Sequence, residues 1–251
     1  MNPVIVRNVK IGEGIPKICV PIVGKTMAEI IEEARSFDEI PMDIVEWRAD
    51  WYEDVFDFDK VKQILAKLRV VLGETPMLFT FRTSNEGGEK AIADEVYLAL
   101  NKIVVESGNA DLVDVEIFME KNTVKNIIEY AHQNNVKVIA SNHDFHKTPD
   151  QKEIVARLQK MQDMGADILK IAVMPQSKRD VLTLLNATKE MADCAKQPLV
   201  TMSMSGQGVI SRLAGEVFGS AMTFGAAKGA SAPGQIPVQE LKKILDILHH
   251  S

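Results

Sequence analysis

The sequence predicts an α/β fold, a (β/α)8 TIM barrel with an N-terminal β-hairpin closing its bottom. Three observations carry that reading. Eight apolar, β-rich runs recur along the chain, a segment of helical period follows each, and successive runs start 23 to 35 residues apart, about one strand, one helix and their loops. The runs are ICVPIV (18–23), DIVEWRAD (43–50), MLFTFR (77–82), LVDVEI (112–117), KVIASNHD (137–144), ILKIAV (168–173), PLVTMSM (198–204) and AMTFG (221–225). Eight such units are the number that closes into a barrel, and an open doubly wound sheet is the alternative arrangement.

The helical segments carry their own punctuation. In TMAEIIEEARSF, Thr26 and Glu29 have capping-box spacing, and VARLQKMQDMG ends on Gly165 as a C-terminal cap. Ahead of the first run, VIVRNVKIGEGIPK reads as two short strands around a turn. No linker, low-complexity tract or charge block divides the chain, so residues 1–251 are read as one barrel domain.

Composition narrows the function. At 46% hydrophobic and 25% charged residues, with 15 glycines and 10 prolines in 251, the chain is an ordinary globular protein. A net charge of -6 argues against a general nucleic-acid or anionic-membrane surface, so an anionic ligand must meet a local cluster of Arg or Lys. No apolar run reaches a membrane span and MNPVIVRNVK lacks a signal-peptide pattern, so a cytoplasmic location is expected. Cys19, in an apolar run, and Cys194, in a helical segment, have no CxxC or CxxH partner, so reduced thiols without zinc are expected.

In such a barrel the chemistry sits at the C-terminal ends of the strands, and most of the unusual polar residues fall there. Glu46 and Arg48 are two apart on one face of the second run; Arg82 ends the third, with Glu86 following in SNEGGE. His143 ends the fifth run, Lys170 sits inside the sixth, Arg212 follows the seventh, and Ser231 and Gln235 follow the eighth. Each has an ordinary structural explanation: an internal Glu46–Arg48 ion pair at the mouth, a surface Arg82, a Lys170 that snorkels or pairs with Glu46 or Glu116. Lys170 weighs most, because a lysine is seldom buried without a partner, and burial favours the neutral amine that attacks a carbonyl.

SNHDFHKTP superficially offers metal ligands, but His143 and His146 point to different faces and no third ligand is suitably spaced, so His143 reads as a general acid/base. His132, His249 and His250 read as surface residues. GKT at Gly24 to Thr26 lacks the first glycine of a P-loop, where Cys19 stands, and GQGVIS at Gly206 to Ser211 has no nucleotide-binding unit around it. Its expected task is a tight turn that delivers Arg212 to the mouth. Of the twelve methionines, Met202 and Met204 are candidates to line a pocket.

EWRAD, FTFRTSNEGG, SNHDF, LKIAVMP, TMSMSGQGVISR and FGSAMTFGAAKGASAPGQI, in this order, together resemble the type I 3-dehydroquinate dehydratases of the shikimate pathway. The resemblance runs through seven of the eight units. It implies a homodimeric barrel without cofactor or metal that dehydrates 3-dehydroquinate through a lysine imine. It makes Lys170 the imine lysine and His143 the acid/base that removes a C2 proton, assists imine formation and release, and protonates the departing C1 hydroxyl. Glu86 would orient and tune His143, Arg212 would bind the carboxylate, and Ser231 and Gln235 would lie on a loop that closes over the substrate. Glu46, Arg48 and Arg82 would hold the ring hydroxyls. GASAPGQI has the glycine and proline content of such a lid. Pro21 departs from the pattern, standing where some members carry Ser. The alternatives are a class I aldolase acting on a sugar phosphate, and a non-catalytic binding barrel for a cyclic hydroxy acid.

Overall fold

The computed structural model describes residues 1–227 and 231–251. Val4–Val6 (β1) and Val9–Ile11 (β2) form an antiparallel hairpin. Lys17–Ile22 (β3), Ile44–Arg48 (β4), Met77–Thr80 (β5), Leu112–Glu116 (β6), Lys137–Asp144 (β7), Ile168–Val173 (β8), Leu199–Ser203 (β9) and Met222–Ala226 (β10) follow, each paired in parallel with its predecessor as far as β9, while β10 pairs with β3. A parallel bridge between Leu199 and Ser220, with Ala221 N–H donating to the Leu199 carbonyl at 2.7 Å, joins the remaining edges. The sheet therefore closes into a barrel, and the open alternative is excluded. Ile236–Pro237 (β11) adds a short parallel strand beside β10.

The helices alternate with these strands: Met27–Arg35 (α1), Phe58–Leu72 (α2), Asp94–Glu106 (α3), Lys121–Gln133 (α4), Gln151–Asp163 (α5), Lys178–Ala192 (α6), Val209–Leu213 (α7), Gly215–Phe218 (α8) and Val238–His249 (α9). Thr26 and Glu29 form the expected reciprocal capping box on α1. Gly165 follows the end of α5 at φ +85°, the left-handed position that glycine adopts without strain. Cys194 lies two residues past α6, exposed, rather than in a helix. His132 and His249 are exposed and pair with Asp167 and Glu216.

Side chains alternate along each strand, so the barrel interior is built in layers. The lowest layer is apolar: Cys19, Ile44, Leu78, Leu112, Ile139, Ile168, Val200 and Met222 form one buried cluster with Val6 and Ile11 of the hairpin. The hairpin thus plugs the bottom, as expected. Two residues further along the same strands stand Glu46, Thr80, Asp114, Ser141, Lys170, Met202 and Phe224, all buried. The upper half of the barrel is charged where the lower half is hydrocarbon, and this places the site at the C-terminal mouth.

Candidate active site

Eight of the nine residues singled out from the sequence line one cavity at that mouth. Glu46, Arg48, Arg82, Glu86, His143 and Lys170 come from the strands and the loop after β5; Ser231 and Gln235 come from the segment after β10; and Met202, Met204, Phe145 and Phe224 supply apolar walls. The first two residues of GASAPGQI, Gly229 and Ala230, lie outside the described residues.

Lys170 is 3% exposed. Its Nζ donates to Asp114 Oδ2 at 2.9 Å, lies 3.9 Å from Glu46 Oε1, and sits 4.6 Å from the centre of the Phe224 ring. The expected partners were Glu46 or Glu116, and Asp114 is closer than either: Glu116 is taken by Arg82. Glu46 accepts a hydrogen bond from Thr80 at 2.8 Å. No Glu46–Arg48 ion pair forms, because Arg48 closes a two-point pair on Asp50, with Nε and Nη2 each at 2.8 Å.

Arg82 is buried rather than on the surface. It donates to Glu116 and Asp114, both at 2.8 Å, and to Ser141 at 3.0 Å, with Glu86 3.8 Å away. Burial alone would push the Asp114 carboxyl up, but Arg82 and then Lys170 hold it well below the usual carboxylate range. A permanent negative charge therefore faces Lys170 Nζ.

Glu86 Oε2 accepts from the His143 backbone N–H at 2.8 Å and meets the ring Nδ1 at 2.9 Å; its Oε1 accepts from Asn142 Nδ2 at 3.1 Å. Burial, followed by Glu116, pushes the Glu86 carboxyl up to about 8 against the pull of Arg82. Burial, followed by Arg82 and Lys170, pushes the His143 imidazole well below its ordinary value. With Nδ1 engaged, Nε2 is the nitrogen left for chemistry.

Arg212 is 2% exposed and stands behind the cavity wall, reached through the tight Gly206–Gly208 turn. A Cβ on Gly208 would fall 2.2 Å from the Ser203 carbonyl, so only glycine permits that turn. The guanidinium donates to Met202 Sδ at 3.6 Å and to the Pro233 carbonyl at 3.1 Å, and its Nε has no hydrogen-bond partner. Among the described residues no carboxylate pairs with it, and burial alone pulls it down to about 10. Arg48 holds the same segment by donating to the Ser231 carbonyl at 3.3 Å, and Ser231 and Gln235 bond each other at 2.9 and 3.0 Å.

Residues 18–251 match the profile of the family described as type I 3-dehydroquinase. The chain belongs to the type I 3-dehydroquinase family. A 3-dehydroquinate dehydratase from Listeria monocytogenes serotype 4b is 61% identical over 249 residues, 99% of each chain. One from Clostridium botulinum is 58% identical over 98% of this chain and 97% of that one. Among solved structures, the type I enzyme from Clostridium difficile carrying covalently modified comenic acid superposes with a TM-score of 0.97 at 54% identity, covering 100% of this chain and 99% of that one. The Geobacillus kaustophilus enzyme also gives 0.97, at 38% identity over the same shares.

For a type I dehydroquinase site, reading the sequence missed Asp114, Asp50, Ser141 and Asn142. Asp114 had a signal: it interrupts LVDVE just as Lys170 interrupts ILKIAV, two residues before Glu116 on the same inward face. Asp50 had little, because its value lies in bracing Arg48 and in accepting the Arg82 and Glu89 backbone N–H groups.

Proposed function

We propose that Lys170 carries the dehydration of 3-dehydroquinate to 3-dehydroshikimate as an imine, with His143 moving the protons. The observation that carries this is a buried lysine, paired with a fixed carboxylate, on the same small cavity as a histidine whose other nitrogen is held by Glu86. The neutral Lys170 amine adds to the C3 ketone, water leaves, and a protonated imine forms. His143 Nε2 takes a C2 proton; the C–H electrons move into the imine, which becomes a neutral enamine. The enamine expels the C1 hydroxyl as water once His143 returns the proton, and hydrolysis of the conjugated imine releases product and Lys170. Asp114 faces the protonated imine and stabilises its charge in a site of low dielectric.

Arg212, a buried cation without a carboxylate partner, suits the substrate carboxylate. Glu46, Arg48 and Arg82 hold the ring hydroxyls. Family membership removes the aldolase and the binding-barrel alternatives. Incubation with 3-dehydroquinate and borohydride should give one substrate-sized adduct on Lys170 by peptide mass mapping. A folded protein that turns over substrate without such an adduct would refute the imine route.

The segment carrying Ser231 and Gln235 lines the cavity and is held by Arg48 at the Ser231 carbonyl and by Arg212 at the Pro233 carbonyl, so as a lid it swings out to admit substrate by breaking those contacts. Gln235→Ala should raise KM about tenfold while kcat changes little; an unaltered KM would remove Gln235 from the lid.

The pH dependence follows from the Glu86–His143 pair, which titrates as a unit. Below about pH 8 the raised carboxyl keeps its proton and donates it to Nδ1, so the ring hydrogen sits on Nε2 and blocks the base. Above it, Glu86 accepts the Nδ1 hydrogen and Nε2 is bare. kcat/KM should rise with pH toward that value, and Glu86→Gln, which has no such proton to lose, should move the acid limb to lower pH while reducing the maximum. An acid limb that stays in place would assign it to another group.

The family resemblance also supports a homodimer, which sedimentation would test, and a cytoplasmic location. Among the described residues no helix is long and apolar enough to cross a membrane.

A further inference from the structure

We propose that Arg157, outside the barrel on α5, is a positioning residue for the Glu86–His143 pair, acting through the side-chain amide of Asn142. The proposal rests on the roles given above to Glu86 and His143. Arg157 Nη1 donates to Asn142 Oδ1 at 2.8 Å, and Asn142 Nδ2 donates to Glu86 Oε1 at 3.1 Å. A guanidinium has no acceptor, so the amide oxygen must face Arg157 and the NH2 must face Glu86. Turned over, the amide would set its oxygen against a carboxylate oxygen, an arrangement tolerated only when Glu86 carries a proton. The orientation imposed by Arg157 thus favours ionised Glu86, the form that takes the Nδ1 hydrogen and bares Nε2.

Packing does not impose that orientation. On the outer side, Asn142 borders a second cavity of about 300 Å3, lined also by Glu86, Glu116, His143 and Arg157, with space for several waters. Arg157 is held in turn: its Nε donates to Glu153 at 2.8 Å, one turn away on α5, and its guanidinium lies 5.3 Å from the centre of the Phe118 ring. The other charges that face the pair are Arg82 and Glu116 toward Glu86, and Arg82, Lys170, Asp114 and Arg48 toward His143. All of these belong to the barrel strands or to the residues that follow them, and none to α5. On the outer side, Lys160 also stands over Phe118, at 4.9 Å.

The test is steady-state kinetics across pH on folded variants, checked by circular dichroism. Arg157→Met should lower kcat about tenfold, by analogy with the loss when a group that orients a metal ligand is removed, leave KM within about twofold, and move the acid limb to higher pH. Arg157→Lys should recover part of the rate. Asn142→Leu should act in the same direction, and the double variant should be no slower than the slower single one. Lys160→Met, which removes a charge over the same ring without touching the amide, should leave the limb in place. The proposal is overturned by a wild-type profile in Arg157→Met, by additive losses in the double variant, or by an equal shift in Lys160→Met. If His143→Ala itself turns over at the wild-type rate, the reading of the pair fails. If His143→Ala is slow and Arg157→Met is not, only the role of Arg157 fails.

Discussion

Lys170→Ala is expected to abolish borohydride trapping and to lower kcat on the order of 10⁴-fold or more. The size of the effect follows from the chemistry of the lost group. Without the amine no imine forms, and C2 deprotonation must proceed through a free enolate with no covalent electron sink. Removing the ammonium also takes from buried Asp114 one of its two cationic partners, leaving Arg82 at 2.8 Å. Losing part of the compensation of a buried carboxylate is destabilising, so the variant should also melt earlier. Lys170→Met fills the space but carries no charge, so it should lose turnover equally, and any melting loss it shares with Lys170→Ala belongs to the missing partner of Asp114 rather than to packing. Appreciable turnover by either variant, with no adduct in the wild type, would leave Lys170 a structural charge.

His143→Ala should slow turnover by about 10² to 10⁴-fold, the range typical of general acid/base catalysis, and it should let the imine accumulate. Lys170 and Asp114 remain in place, so condensation still proceeds, while proton removal at C2 and protonation of the departing hydroxyl lose their shared group. Mass spectrometry of borohydride-quenched reactions should show more Lys170 adduct in the variant than in the wild type at equal time. An unchanged rate together with equal adduct would remove His143 from the mechanism. A slow variant that forms no adduct would place its main role in imine formation.

Reading the sequence reached far into this protein because its strongest signals are local. Strand period, helix punctuation and the spacing of eight βα units are short-range properties, and the structure places all eight runs in the barrel, with KVIASNHD and ILKIAV matching β7 and β8 residue for residue. Lys170 was legible for the same reason, as a charge inside an apolar strand. Partners were not legible. Which carboxylate meets Lys170 depends on the register and tilt of β4, β6 and β8, and these bring Asp114 to 2.9 Å while holding Glu46 at 3.9 Å. Arg48 chose Asp50 over Glu46 by a rotamer and a turn that no pattern records.

By itself, then, the sequence determined the barrel, its plugged bottom and the residue types gathered at its mouth, since period and composition dictate which side chains face inward. Only the tertiary structure decided who pairs with whom: that Arg82 serves the carboxylates of β6, that Arg212 is buried without one, and that Arg157 on an outer helix reaches Glu86 through Asn142. Those pairings are set by distances across strands tens of residues apart in the chain. Whether a buried charge is neutralised, stranded or tuned is a property of such distances, because electrostatic interactions in a low-dielectric interior depend steeply on separation.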